Sequence, residues 1–238
     1  MHNKTNDPNL WGYYQVEQRD LYGKRAGKND PTYHLVKYLL KHQLIKDDNI
    51  LEIGFGSGIT LQALSGFFKS VSGADISPKN VEVTREEFEQ KGIKNADFFV
   101  FDLAETKQFD KKYDTIMLSH VLEHFTEDEL KIVVPNIIAL LKPGGKLIGA
   151  VPYKLKFTYK VCPKCGEEFE LDGHQIKYDF DVFRQNFLHF GFEEELIRSH
   201  NFDFNARYDW FLKRIARKLY YNYKGEPSSQ LEFCLKLK

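Results

Sequence analysis

The stretch NILEIGFGSGIT, Asn49 to Thr60, decides how the rest of the chain is read. Strand formers up to Ile53 run directly into Gly54, Gly56 and Gly58, with Phe55 and Ser57 between them, and helix-compatible residues follow from Ile59. Every glycine costs backbone entropy on folding, so three at alternate positions mark a turn where Cβ atoms would keep a ligand away from the backbone. Strand, glycine turn and helix in that order predict a seat for a small molecule. The dinucleotide fingerprint G-x-G-x-x-G would put its third glycine at position 59, where this chain has Ile59. The spacing is instead Glu52-x-Gly54-x-Gly56-x-Gly58.

Outward from this turn, β-branched and aromatic runs alternate with helix-period segments. Strands are expected at 49–54, 70–75, 96–102, 113–118, 146–151 and 192–199, with a last one from Leu231. Asp30-Pro31 and Ser77-Pro78 read as capped helix starts, and Gly92 closes the second of these helices. Thr126 with Glu129 forms a capping box ahead of Leu130, Val133, Val134, Ile137, Ile138 and Leu141, and Lys142-Pro-Gly-Gly ends that helix. Pro135 is expected to bend it. The alternation predicts an α/β, Rossmann-like, seven-stranded, mostly parallel sheet with an antiparallel last strand and helices on both faces. In such sheets ligands sit beyond the carboxyl ends of the strands, at the switch point.

The chain of 238 residues, 42% hydrophobic, is expected to form a single domain spanning 1–238. Thirty-four basic residues balance thirty-four acidic ones, which disfavours general nucleic-acid binding. No apolar run is long enough for a transmembrane segment and the start lacks a signal-peptide core, so a cytoplasmic protein is expected. Three cysteines are too few for a secreted disulfide framework. Within the domain, residues 1–29 form an aromatic, basic arm that is a lid or a packed first helix. Residues 153–178 interrupt the alternation as a zinc-knuckle insertion. Residues 201–228 form a basic amphipathic helical insertion, with Arg207, Lys213, Arg214, Arg217, Lys218 and Lys224 against Asp209. An anionic acceptor or an anionic membrane surface is one use for it, and a solvated outer face is the plainer one.

Asp75 ends the second strand, where a carboxylate accepts both hydroxyls of an adenosine ribose. With Glu52, Gly54, Gly56 and Gly58, this resembles the class I S-adenosylmethionine-dependent methyltransferase family. The resemblance implies that the glycine turn binds the methionine end of the cofactor and Asp75 the ribose. It further implies that Ile76 lies against the adenine, and that Asp102 with Leu103 meets the adenine edge. LLKPGGKLIGAVP, Leu140 to Pro152, looks like the family's segment at strand five, and the match covers roughly residues 33 to 152. A nicotinamide oxidoreductase is disfavoured by Ile59 and by the LKPGG segment. A cofactor-binding scaffold without turnover is the non-enzymatic alternative.

After strand four the chain reads Ser119-His120-Val121-Leu122-Glu123-His124. His120 or His124 is a candidate base toward an acceptor hydroxyl or amine, because imidazole titrates near neutrality. Glu123 and His124 equally suit a structural role. His-x-x-Glu-His with His174 also resembles the divalent-metal site of small-RNA 2′-O-methyltransferases and of a quinone-pathway O-methyltransferase group. Those families have Glu where this chain has His120. Cys162-Pro-Lys-Cys165-Gly reads as a zinc knuckle by its turn residues and paired sulfurs, with His174 as the expected third ligand, and a pair of reduced surface thiols or a redox couple is the alternative. The CPxCG and GH segments resemble an insertion in a subset of bacterial methyltransferases. The acceptor expected is a small polar or sugar-linked molecule, with RNA or a quinone-type phenol as the alternative.

Overall fold

In the computed structural model, residues 28, 30–105, 111–200 and 230–238 are described. The expected 201–228 helix lies outside them, as does the 1–29 arm apart from residue 28. The strands are β1 (Asn49–Ile53), β2 (Ser70–Asp75), β3 (Ala96–Val100), β4 (Tyr113–Ser119), β5 (Leu141–Pro152), β6 (Tyr159–Val161), β7 (Glu168–Glu170), β8 (Phe192–His200) and β9 (Gln230–Leu237). The helices are α1 (Pro31–Lys41), α2 (Ile59–Leu64), α3 (Pro78–Gln90), α4 (Glu127–Leu140) and α5 (Phe180–Phe187).

Seven strands form one sheet in the order β3-β2-β1-β4-β5-β9-β8, and β6 pairs with β7 in a separate hairpin. The β1 to β5 pairings are parallel, and β9 runs antiparallel to both neighbours, as the sequence pattern predicts. Successive side chains on a strand face opposite sides, so each central strand feeds two cores. Leu51, Ile116, Leu118, Leu147 and Phe233 pack with Val133, Val134 and Ile137 of α4 and with Phe183 and Phe187 of α5. On the other face Ile50, Met117, Ile148 and Cys234 pack with Leu35, Val36 and Leu39 of α1, Leu61 of α2 and Phe88 of α3. Burying such a side chain contributes roughly 1.5–3 kcal/mol, so both sheet faces are covered by necessity.

The helix starts follow the sequence. Asp30 accepts the Thr32 N–H at 2.7 Å ahead of Pro31, and Ser77 accepts the Asn80 N–H at 3.3 Å ahead of Pro78. Thr126 and Glu129 exchange hydrogen bonds as a capping box. One boundary differs from expectation. The helix ends at Leu140, and Leu141 already pairs with Tyr113 before the register shifts to Thr115 opposite Lys146. Lys142-Pro-Gly-Gly is therefore an irregularity inside β5 rather than a loop before it. Both halves of the turn chemistry were in the sequence, but strand pairing on its far side was not.

β1 has β2 on one side and β4 on the other, and the connections reverse direction there. A crevice opens at this point above the carboxyl ends of the strands.

Candidate active site

An open cavity lies in the crevice. Ile53 and Gly54 line it from β1, Asp75 and Ile76 from β2, and Phe101, Asp102 and Leu103 from the end of β3. His120, Val121, His124 and Phe125 form the wall beyond β4.

The glycine turn sits where it does because no other residue fits. Gly54 has φ +72°, and a Cβ there would lie 2.6 Å from a Val121 methyl. Gly58 has φ +67°, and its Cβ would meet Thr84 at 2.5 Å. Asp75 braces the same turn from below. Its carboxylate accepts the Gly56 N–H at 3.1 Å, the Ser77 N–H at 2.9 Å and the Asn80 amide at 3.3 Å. Burial raises the Asp75 pKa, and the bonds from Ser77, Gly56 and Asn80 only partly offset it. Behind the turn, Glu52 is buried with Oε2 unpartnered among the described residues. Burial, then the charges of Asp30 and Asp75, push its carboxyl well above the usual carboxylate range. The crowding of Asp30 and Asp75 around Glu52 that raises its pKa is relieved when a positive charge enters beside the open backbone, so the seat favours a cation. Asp30 was read from sequence only as a helix cap, yet its other oxygen accepts the Thr60 hydroxyl at 2.8 Å and so ties α1 to α2.

On the opposite wall the chain turns sharply. His120 adopts φ +55°, a conformation that costs a non-glycine residue energy and recurs at functional sites. Its N–H donates to Ala150 O at 2.9 Å, which anchors the turn to β5. The His120 Nδ1 lies 3.3 Å from Glu123 Oε1. Burial opposes charge on His120, but Glu123, Asp30 and Gln230 outweigh it and raise its pKa. Burial lowers the His124 pKa, and the His174 and His120 charges add to that against the pull of Glu123 and Gly173. Glu123 is 1% exposed, and neither of its oxygens makes a well-aligned hydrogen bond among the described residues.

Residues 173–178 dock onto this turn, which the sequence did not predict. Gln175 N–H donates to Glu123 O at 2.7 Å, and the Tyr178 hydroxyl donates to Leu122 O at 3.3 Å. His174 consequently stacks on His124, with ring centres 5.0 Å apart. Glu170 holds it there by accepting the His174 N–H at 2.8 Å. Single ligand atoms of Glu123, His124 and His174 all lie within 4.8 Å of one another. The expected set of Cys162, Cys165 and His174 is thus not assembled. His174 is drawn to the base of the hairpin by Glu170, while the cysteines sit at its tip.

The remaining expected site residues divide by position. Gly54, Asp75, Ile76, Asp102, Leu103, His120 and His124 line the cavity. Phe55 does not: it is buried against Phe98, ring centres 5.6 Å apart, because its side chain leaves the turn toward the sheet face covered by α3. Ser119 bonds the Thr32 hydroxyl at 2.5 Å and joins α1 to β4. Phe101, Val121 and Phe125 line the cavity without having been singled out, since apolar residues in a turn carry no signal of their own.

A strand-end cavity beside a glycine turn, an acidic residue ending β2 and another after β3 together define a class. Residues 50–145 match the model of the methyltransferase domain family. A ubiquinone biosynthesis O-methyltransferase of Coxiella burnetii is 30% identical over 127 residues, covering 51% of this chain and 53% of that protein. A ribosomal protein L11 methyltransferase of Haemophilus influenzae is 35% identical over 118 residues, covering 49% of this chain and 38% of that protein. The chain thus spans about half or less of the length of these curated relatives. In fold it is similar to the crystal structure of an S-adenosylmethionine-dependent methyltransferase from Clostridium acetobutylicum, with a TM-score of 0.66 at 12% identity over 96% of this chain and 99% of that one. No described helix is long and apolar enough to cross a membrane.

Proposed function

We propose that the protein transfers a methyl group from S-adenosylmethionine to a hydroxyl or amine of a small polar or sugar-linked acceptor. The observation that carries this reading is the placement of one cavity between the acidic glycine turn and the His120–His124 wall. The cofactor fits the residues present. Gly54 leaves backbone open to it, Asp75 and Asp102 offer carboxylates from the cavity wall to a ribose and an adenine, and the crowded acids Glu52, Asp30 and Asp75 favour the entry of its positive charge. When bound, it supplies an electrophilic methyl carbon and a thioether leaving group that takes the electron pair of the broken C–S bond.

The chain's own contribution is alignment and proton removal. His124, kept neutral by burial, accepts the proton that the acceptor O–H or N–H gives up as its lone pair bonds to carbon. His120 pairs with Glu123, which raises its pKa and makes it the weaker candidate for that proton. Phe101, Val121 and Phe125 exclude water from the reacting groups. The hydroxyl chemistry agrees with the relative named as a ubiquinone biosynthesis O-methyltransferase.

A second reading rests on Glu123. A buried carboxylate without a well-aligned partner, beside His124 and His174, is a donor set for a divalent ion, and imidazoles favour a transition metal over magnesium. In that reading Glu123, His124 and His174 would hold the ion, which would bind and polarise an acceptor hydroxyl of quinone or RNA type. Zinc at Cys162 and Cys165 belongs to this proposal as a separate, peripheral site.

The test is calorimetric titration with S-adenosylhomocysteine followed by turnover on hydroxyl and amine acceptors. Wild type is expected to bind, and Asp75→Ala to lose at least about 1 kcal/mol as a charged hydrogen-bond acceptor disappears. Unchanged affinity removes the ribose assignment. Binding without turnover on any acceptor favours the scaffold reading, and turnover abolished by chelation and restored by one metal favours the metal reading.

A further inference from the structure

The hairpin β6–β7 carries chemistry that the cavity does not use. Between its strands, Cys162 N–H donates to Glu167 O and Gly166 N–H donates to Cys162 O, each at 2.8 Å, with Gly166 at φ +73°. A loop shaped this way is preset for thiolates.

Two sulfurs are half of a tetrahedral zinc site. The chain has three cysteines, and Cys234 is fully buried in β9 with its thiol pushed up to about 12, chiefly by burial. Among the described residues, no group of three metal-binding side chains includes Cys162 or Cys165. His174, the donor the spacing suggested, is held at the far end of the hairpin by Glu170. A site made of four thiolates therefore requires a second chain.

The hairpin surface points the same way. Tyr159, Val161, Phe169 and Leu171 are 55%, 62%, 40% and 51% exposed, and they are four of the seven large hydrophobic residues exposed among the described ones. An isolated two-stranded hairpin is marginally stable in water, so this one gains from a cross-link and a cover. Lys160 and Lys164 flank Cys162 in the sequence, and Glu167 follows Cys165.

We propose that two copies of this chain share one zinc ion through Cys162 and Cys165 of each, with the exposed apolar side chains of both hairpins packed around it. This rests on the reading of the cysteine pair as zinc ligands. A two-fold axis through the metal makes the contact self-complementary, and the assembly closes at two chains. Four S–H groups release their protons to solvent as four Zn–S bonds form, and no electron is transferred.

The experiment uses the full chain, reduced, stripped with a chelator and titrated with zinc while its mass is followed by light scattering. Cys165→Ser is run in parallel, with its melting transition as the check on folding. The proposal expects the mass to double over the titration. It also expects the uptake lost in Cys165→Ser to be one zinc per two chains, whatever other metal both proteins bind. Cobalt in place of zinc should show the charge-transfer intensity of four thiolates. One knuckle zinc per chain on a monomer overturns the sharing and leaves the ligand reading intact. No uptake dependent on Cys165, or a Cys162–Cys165 disulfide in freshly isolated protein, overturns both. A dimer that survives stripping of wild type overturns the metal's role even if the variant fails to fold.

Discussion

The two walls of the cavity are built by different means. The wall proposed for the cofactor is contiguous: Glu52 to Gly58 folds as one turn, and Asp75 and Asp102 follow at the ends of the next strands. Each residue is placed by bonds to near neighbours in sequence or in the parallel register. The acceptor wall is assembled from afar, because residues 173–178 bond to the 122–124 turn across a separate hairpin. Local placement gives a wall whose chemistry is set by backbone shape. Long-range placement gives one whose chemistry depends on whether a second segment is docked.

The strongest way to break the contrast is Gly54→Val. A β-branched residue at φ +72° that also strikes Val121 distorts the turn, and the expected loss in S-adenosylhomocysteine affinity exceeds about 2 kcal/mol, read by calorimetry. Affinity within threefold of wild type would show that the backbone there is not part of the seat.

His124→Ala tests the other wall. Turnover should fall by about 10²-fold or more, with cofactor affinity nearly unchanged. Because burial lowers the His124 pKa, the acid limb of the wild-type rate profile should lie below the value of a free histidine, and it should vanish in the variant. A wild-type limb above that value would assign the titration to His120, whose pKa is raised.

Glu52→Gln gives the smallest effect and sharpens the comparison. Its folded carboxyl pKa lies above the unfolded one, so the group contributes stability at low pH and loses it as pH rises through the folded value. The amide removes that loss. Melting should therefore rise by a few degrees at pH 8 and change little in mild acid, while cofactor affinity falls. A lower melting point at pH 8 would show that the buried carboxylate stabilises the fold.

The difference between the walls also explains what could be read in advance. The turn at Gly54, Gly56 and Gly58 and the strand end at Asp75 were legible because both are local features of the chain. The sheet, with β9 reversed, was legible from alternation and capping residues such as Ser77 and Thr126. Phe55 misled because its place inside a functional turn hid the fact that its side chain faces Phe98. His174 misled more deeply. Nine residues after Cys165 looks like a metal-ligand spacing, yet the hairpin carries the two apart, and Glu170 gave no signal as its anchor. Such a contact follows from a docking that no periodicity encodes.

β9 lies between β5 and β8, although the chain reaches β8 first. Until β9 arrives, β8 has no partner in the sheet and the outer margin of β5 is bare. Assembly of this end is thus a late, slow step with large loop entropy, during which an apolar strand margin is open to a wrong partner. Refolding yield should depend on protein concentration for this reason, even where the finished molecule is stable.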